Sequence, residues 1–274
     1  MSTETILGVS PFGEPDPRLV AAVCRAGGLG VLDLGRGRRR EAREAREALH
    51  LVRQWVPGPF GVRVGAGCAL GPDDLAADGS VHTVLLGADT ELTPGDLAAG
   101  RHRVLVEVTD YEEALAAARA GAHGLVARGN EAGGRVGELS TFVLLQQLVA
   151  NPELGPPVWA CGGIGPHTAA ATVVGGAAGV VLDTQLALLD ETGVPEEVAA
   201  AVRTMPHRHQ PAGPDREGVR GRVDHGPGLR GHPAGRRTTG EPAVLRIPGR
   251  HPPAPGRNHR STECAGPATR GASK

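Results

Sequence analysis

The chain has 274 residues, a formal net charge of −1 and four cysteines. It contains no run of about 18 apolar residues, the length that crosses a bilayer, and its N-terminus has neither the basic start nor the apolar core of a signal peptide. The cysteines are far apart and show no metal-ligand spacing, so we expect a reduced, cytoplasmic protein with no metal site and no membrane partner; they are Cys24, Cys68, Cys161 and Cys264.

Short apolar runs alternate with amphipathic segments through the first 206 residues. The runs have the length of buried strands, and the segments between them have helical periodicity. Strands are predicted at Thr5–Val9, Leu29–Leu34, Phe60–Val64, His82–Leu86, Arg103–Val108, Gly124–Ala127, Val158–Cys161 and Gly179–Leu182. Helices are predicted from Pro17 to the glycines at 27 and 28, over Glu41–Trp55, Pro72–Ala77, Thr93–Ala99 and Asp110–Ala120, from Ser140, from about His167, and from Pro195 to Met205.

These eight strand–helix repeats in about 200 residues predict an α/β fold, a compact (β/α)8 TIM barrel. An open, doubly wound sheet is the alternative. The even spacing of the strands and the glycine-rich loops late in the chain favour a closed barrel.

Glycines cluster after the sixth and seventh predicted strands. The first loop holds Gly129, Gly133, Gly134 and Gly137, and the second reads Gly162-Gly163-Ile164-Gly165. Glycine is favoured where the backbone takes a positive φ or approaches another group closely. Two such loops in succession form a phosphate cradle in many TIM barrels, although tight turns between buried strands would give the same pattern.

Residues 207–274 differ in composition from the rest. Residues 1–206 hold 25 of the 30 acidic residues but only 16 of the 29 basic ones, and the last 68 residues contain no aromatic residue. We therefore predict a barrel domain over 1–206 and a disordered Arg/Pro/Gly-rich tail over 207–274. The tail is either a basic binding arm or the product of a shifted reading frame. Its single lysine, Lys274, and its lack of aromatics favour the frameshift and argue against nucleic-acid binding.

Several motifs resemble the nitronate monooxygenase (2-nitropropane dioxygenase-like) family of FMN-dependent TIM barrels. They are EAGGRVGE, VWACGGIG and GAAGVVLDTQL, with LVAAVCRAGGLGVLDLG and FGVRV nearer the start. The likeness covers about residues 5–205. The segments AGGRVGELSTFVLLQ and CGGIGPHTAAA are similar in sequence to the barrel domain at the N-terminus of some modular type I polyketide synthases. This resemblance implies polyketide synthase domains as partners in the intact protein.

The resemblance implies FMN as the cofactor and assigns its contacts by position. In the family, backbone amides after the seventh strand hold the phosphate, and a Gly-Thr pair after the eighth strand adds to them. The loop after the sixth strand lies near the flavin ring, and an asparagine on the family's second strand contacts the flavin. The corresponding residues here are Gly162, Gly163 and Ile164, then Asp183 and Thr184, then Gly129, Ala132, Gly133 and Gly134, and finally Arg63.

Arg135 stands where the family carries its catalytic histidine. A guanidinium stays protonated at any working pH, so Arg135 cannot act as a base. It can stabilise an anion such as an enolate, a nitronate or a carboxylate.

Three functions follow. The first is an FMN oxidoreductase domain acting on a small-molecule or acyl substrate, associated with polyketide biosynthesis. The second is a catalytically degenerate barrel that serves as a structural or docking domain of a truncated polyketide synthase. The third, a basic-tailed binding protein, depends wholly on residues 207–274 being genuine.

Overall fold

The computed structural model describes residues 5–35, 39–68, 70–76 and 79–204, with the side chains of 39–41 and 76 left out. Eight parallel strands close into a barrel in sequence order, with β1 paired to both β2 and β8. The strands are Ile6–Val9 (β1), Leu29–Asp33 (β2), Phe60–Val64 (β3), Val81–Leu86 (β4), Arg103–Val108 (β5), Gly124–Arg128 (β6), Val158–Cys161 (β7) and Gly179–Leu182 (β8). The predicted TIM barrel is confirmed.

Helices follow the strands around the barrel. The α-helices are Pro17–Arg25 (α1), Arg39–Trp55 (α2), Pro72–Ala76 (α3), Tyr111–Arg119 (α4), Thr141–Val149 (α5), Pro166–Val174 (α6) and Glu196–Thr204 (α7). Short 3₁₀ helices occupy Pro11–Gly13, Pro94–Leu97, Pro152–Leu154 and Thr184–Leu188. None of the helices in the described ranges is long and apolar enough to span a membrane.

The helix starts are set by side-chain caps. The carboxylates of Asp16 and Asp110 accept hydrogen bonds from the amides of Leu19 and Glu113, which satisfies donors that have no partner within the helix. The helix predicted over Thr93–Ala99 is instead a single 3₁₀ turn, Pro94–Leu97. A Pro-Gly-Asp sequence favours a tight turn over a continuing α-helix because proline removes a donor and glycine adds entropy.

Alternate strand residues fill the barrel interior. Leu29 and Val31 of β2, Leu105 of β5 and Val126 of β6 belong to one buried apolar cluster that draws on seven of the eight strands. Because side chains alternate between the two faces of a strand, the next residue in each inward series lies at the carboxyl end of the barrel. On β2, β5, β6 and β8 that next position carries a charged side chain, and these side chains form part of the site described below: Asp33, Glu107, Arg128 and Asp183.

The predictions made for residues 207–274 fall outside the described residues. The same holds for the last predicted helical residue, Met205, and for Ala77.

Candidate functional site

A cavity of about 280 Å³ opens at the carboxyl end of the strands. Its floor is formed by five charged side chains, which we call the charged layer. They continue the inward-facing series of β2, β3, β5, β6 and β8 and are Asp33, Arg63, Glu107, Arg128 and Asp183. The carboxyl end of a barrel is where TIM-barrel proteins place their sites.

Arg63 is the centre of the charged layer. Its Nε and Nη2 donate to the two carboxylate oxygens of Glu107, each over 3.0 Å, and its Nη1 donates to Asp33 Oδ2 over 3.0 Å. A longer contact of 3.4 Å joins Nη2 to Asp89 Oδ1. The two bonds to separate oxygens of Glu107 are the bidentate pairing that arginine favours with a carboxylate.

Glu107 is fully occupied by donors. Besides the two bonds from Arg63, it accepts one from Arg128 Nη1 over 2.9 Å and one from the amide of Ala88 over 3.1 Å. Burial would raise the pKa of Glu107, but the two guanidinium groups and the amide outweigh it and hold that pKa below its ordinary value. Glu107 is therefore a fixed anion that orients both arginines.

Asp33 has the opposite balance. Its Oδ1 accepts from the amide of Gly35 over 2.9 Å and its Oδ2 from Arg63. Burial raises the pKa of Asp33, and the neighbouring Arg63 and Gly35 offset this only in part.

Arg128 joins the charged layer to the loop that follows β6 (loop 6, residues 129–139). Its Nη1 contacts Glu107, and its Nη2 donates to the carbonyl of Gly133 and lies 3.8 Å from Asp183 Oδ2. Its Nε is buried and has no hydrogen-bond partner within the described ranges. Buried polar groups are almost always paired in proteins, so this donor is the exception within the charged layer.

Arg135 lies at the rim of the cavity and is already engaged. Its Nη1 donates to the carbonyl of Ala88 over 2.8 Å, and its Nη2 is paired with Glu113 of α4. The pair holds the pKa of Glu113 below its ordinary value, although partial burial acts against this. Arg135 thus ties loop 6 to α4 and to the loop after β4.

Loop 6 packs closely on the loop after β7 (loop 7, residues 162–165). A Cβ on Gly129 would lie 2.0 Å from the amide nitrogen of Thr141, and one on Gly162 would lie 2.8 Å from that of Ala132. The Glu131 carboxylate accepts hydrogen bonds from the amide and hydroxyl of Thr141, at 2.8 and 2.9 Å. Glycine is required at 129 by the start of α5 and at 162 by loop 6 and α5, whether or not a ligand binds.

Loop 7 retains features of a phosphate cradle. Gly163 has a φ of 61° and is exposed, and within the described residues neither its amide nor that of Ile164 has a hydrogen-bond partner. Free amides next to the start of α6 suit an anion. At Thr184 the fit fails, since its amide donates to Asp183 Oδ1 over 2.6 Å. The described residues therefore fit a flavin phosphate at loop 7 and not at Thr184.

The structure brings together about half of the residues predicted for the site. The cavity is lined by Arg63, Gly133, Gly134, Arg135, Asp183 and Thr184. The remaining predicted residues belong to loops 6 and 7 but do not line the cavity: Gly129, Ala132, Gly162, Gly163 and Ile164.

Sequence reasoning missed Asp33, Glu107 and Arg128. A signal was present, because each is a charged residue that follows a run of apolar residues at or next to the end of its strand. No cluster of metal-ligand type occurs within the described ranges.

Comparison with known proteins shows which families this chain is similar to. Residues 73–205 match the nitronate monooxygenase family. A dehydrogenase of Rhodococcus jostii (strain RHA1), named for (3aS,4S,5R,7aS)-5-hydroxy-7a-methyl-1-oxo-octahydro-1H-indene-4-carboxyl-CoA, is 32% identical over 187 residues, which cover 66% of this chain and 51% of that protein. The chain is thus similar to nitronate monooxygenases over residues 73–205. The chain spans about half the length of the curated relatives that it matches.

Two solved structures extend the likeness. FabK from Thermotoga maritima has a TM-score of 0.62 and 30% identity, over 72% of this chain and 63% of that one. Nitroalkane oxidase from Streptomyces ansochromogenes has a TM-score of 0.60 and 26% identity, over 72% of this chain and 70% of that one.

Proposed function

We propose that the barrel is the flavin domain of an FMN-dependent oxidoreductase of the nitronate monooxygenase-like class. The family match and the relatives named as a dehydrogenase and a nitroalkane oxidase support it. The observation that carries the proposal lies in the chain itself. Loop 7 offers the amides of Gly163 and Ile164, unpaired within the described residues, at the end of the barrel that holds the cavity.

Each part of the site has a role in this proposal. The amides of Gly163 and Ile164 bind the phosphate, and FMN when bound supplies the group that accepts electrons. Arg63 and Arg128, fixed by Glu107, place positive charge where negative charge develops on a bound molecule. Arg135 binds an anion by exchanging Glu113 for it, since its guanidinium is already paired.

We infer a small acyl or otherwise enolisable substrate. The name of the Rhodococcus relative contains a carboxyl-CoA compound, and the cavity of about 280 Å³ is close to the lower end of the range for small-molecule sites. The likeness of AGGRVGELSTFVLLQ to synthase-linked barrels supports polyketide synthase domains as the partners of the intact protein.

The test is a titration of the full chain with FMN, followed by flavin fluorescence. We compare Gly163→Leu with Gly155→Leu, because both glycines are exposed and have positive φ, 61° and 82°, so both variants place a side chain on a strained backbone. Only Gly163 lies in loop 7, whereas Gly155 precedes β7 at the other end of the barrel. We expect wild type and Gly155→Leu to bind FMN and Gly163→Leu to lose at least tenfold in affinity. Equal affinities for the two variants would contradict the proposed phosphate site.

A second candidate is a barrel without turnover that serves for docking. It is favoured by the outer surface of α5 and α6, two helices with no charged residue, where Phe142, Val143, Val173 and Val174 are exposed. The engagement of the Thr184 amide by Asp183 also favours it. A wild-type protein that is colourless and shows no absorbance change or thermal shift with saturating FMN would exclude the first function and leave this one.

A further inference from the structure

The proposed function requires a group that accepts a proton from an enolisable substrate, and Arg135 cannot be that group. Its guanidinium does not deprotonate in proteins. In the described part of the cavity the remaining acceptors are carboxylates: Asp33, Asp89, Glu107 and Asp183. They differ in how many donors each already satisfies.

Glu107 has no capacity for a proton. An ionised carboxylate offers about four lone-pair positions, and Glu107 uses all four, with two bonds from Arg63, one from Arg128 and one from Ala88. A proton would displace at least one of these donors from a side chain that is almost fully buried.

Asp33 keeps capacity on both oxygens. Each oxygen accepts one hydrogen bond, from Gly35 or from Arg63, and the side chain lines the cavity. Asp89 is more exposed to water and has one long contact to Arg63, while Asp183 is engaged by the amide of Thr184 and lies near Arg128. Asp33 is thus the buried carboxylate of the cavity with an open position.

We propose that Asp33 is the proton acceptor of this cavity, an assignment that rests on the proposed function. The Asp33 carboxylate forms a bond to the proton of a substrate C–H group and becomes a carboxylic acid. The electron pair of that C–H bond stays on the substrate as its conjugate base. Arg63, held in place by Glu107, remains protonated beside both and stabilises the new anion. The reverse transfer restores the carboxylate.

The electrostatic surroundings agree with this assignment. Burial raises the pKa of Asp33, and Glu107 adds to the effect, while Arg63 and the Gly35 amide oppose it. The other titratable groups facing Asp33 are Cys68 and, across Arg63, Asp89. The pKa values of Asp33 and Glu107 are displaced in opposite directions, a separation that assigns acid–base work to one carboxylate and a structural charge to the other.

The direct test follows the side-chain carboxyl carbon of Asp33 by ¹³C NMR in the full-length protein, assigned by its loss in Asp33→Asn. We expect its titration midpoint to lie above the ordinary aspartate value of about 3.9. A midpoint at or below that value would overturn the proposal, because such a group prefers to stay ionised. FMN titration of wild type judges the proposed function separately, since the Asp33 midpoint is measured without FMN.

The second test uses the pH dependence of stability. A raised folded pKa means that the stability linked to Asp33 is present at low pH and is lost as pH rises through that pKa. The Asp33→Asn variant has no carboxyl group to ionise and does not lose this stability. The difference in free energy of unfolding, variant minus wild type, should therefore increase as pH rises. Asp89→Asn, which removes another partner of Arg63, is the matched control and should show no such gain. Parallel pH profiles for wild type and Asp33→Asn would also overturn the proposal.

Discussion

Glu107 shows what a single carboxylate contributes at the floor of the barrel. It is 3% exposed and joins two arginines from strands that are not both its neighbours, Arg63 of β3 and Arg128 of β6. Without this shared anion the two buried guanidinium groups would repel each other, and each would lose the hydrogen bonds that it donates to Glu107. The interaction is therefore a condition for placing either arginine in the cavity.

Replacing Glu107 with Gln should lower the free energy of unfolding by about 3–5 kcal/mol at pH 7, the usual cost of removing one partner from a buried ion pair. Because the folded pKa of Glu107 is depressed, its contribution is present above the unfolded pKa and is lost as pH falls through the folded value. The difference between wild type and variant should therefore fade in acid. Urea unfolding across pH measures it.

The control for this variant is Glu196→Gln. Glu196 is paired with Arg203 on the surface, with 78% of its side chain exposed, so its loss should not change stability measurably. A Glu107→Gln variant as stable as this control, or one whose deficit stays constant down to low pH, would contradict the role given to Glu107.

At the scale of elements, the turn after β1 contains a residue other than glycine with a positive φ. Phe12 lies in the 3₁₀ turn Pro11–Gly13 with a φ of 63°, has 47% of its surface exposed and lines the cavity. A bulky residue in the left-handed region costs about 1–3 kcal/mol, and burial of an exposed ring does not repay it. The turn is thus held in place by its surroundings against the local preference of Phe12.

Replacing Phe12 with Gly should raise the free energy of unfolding by about 1 kcal/mol, because glycine relieves the strain and loses part of the gain to its own entropy. Phe142→Gly is the matched control, since Phe142 is similarly exposed but lies in α5 with helical geometry. That variant should lose about 1 kcal/mol. Chemical denaturation measures both, and two losses of equal size would show that Phe12 is not strained.

At the scale of the whole molecule, the sequence predicted the barrel well and its charged floor poorly. Strands β3, β5, β7 and β8 have the predicted bounds, because short apolar runs between turns report burial directly. The ion pairs were not predictable in this way. Arg63 and Glu107 are 44 positions apart on strands separated by β4, and Arg63 passes over Gly87, where a Cβ would lie 2.6 Å from its Nη2. Only closure of the barrel brings such groups together.

The glycine-rich loops also show what a sequence pattern does not predict, namely the group that approaches each glycine. Their composition predicted close approach correctly, but the partner of Gly129 is Thr141 and that of Gly162 is Ala132. A pattern of small residues indicates that something comes near and does not indicate whether it is a ligand or the chain itself. The contact between loops 6 and 7 therefore had to be seen in three dimensions.

The closed barrel also bears on where the domain ends. All eight strands lie within residues 6–182, and α7 ends at Thr204. We expect a chain of residues 1–206 to unfold cooperatively with the same midpoint temperature as the full chain, because the barrel closes through pairings among described strands that all lie before residue 183. Calorimetry of the two chains measures this. A lower midpoint for the shorter chain would place part of the stabilising structure after residue 206.

The charged layer has a consequence for how the barrel finds its register during folding. In β2 the inward series runs Leu29, Val31, Asp33, so sliding the strand by two residues keeps the same face inward but draws a carboxylate down among apolar side chains. Asp33 would then lose Arg63, which lies directly opposite it, and burying an unpaired charge is costly. A purely apolar interior would tolerate such a slip. The ion pairs of the charged layer thus favour one strand register, and with it one shear of the closed sheet.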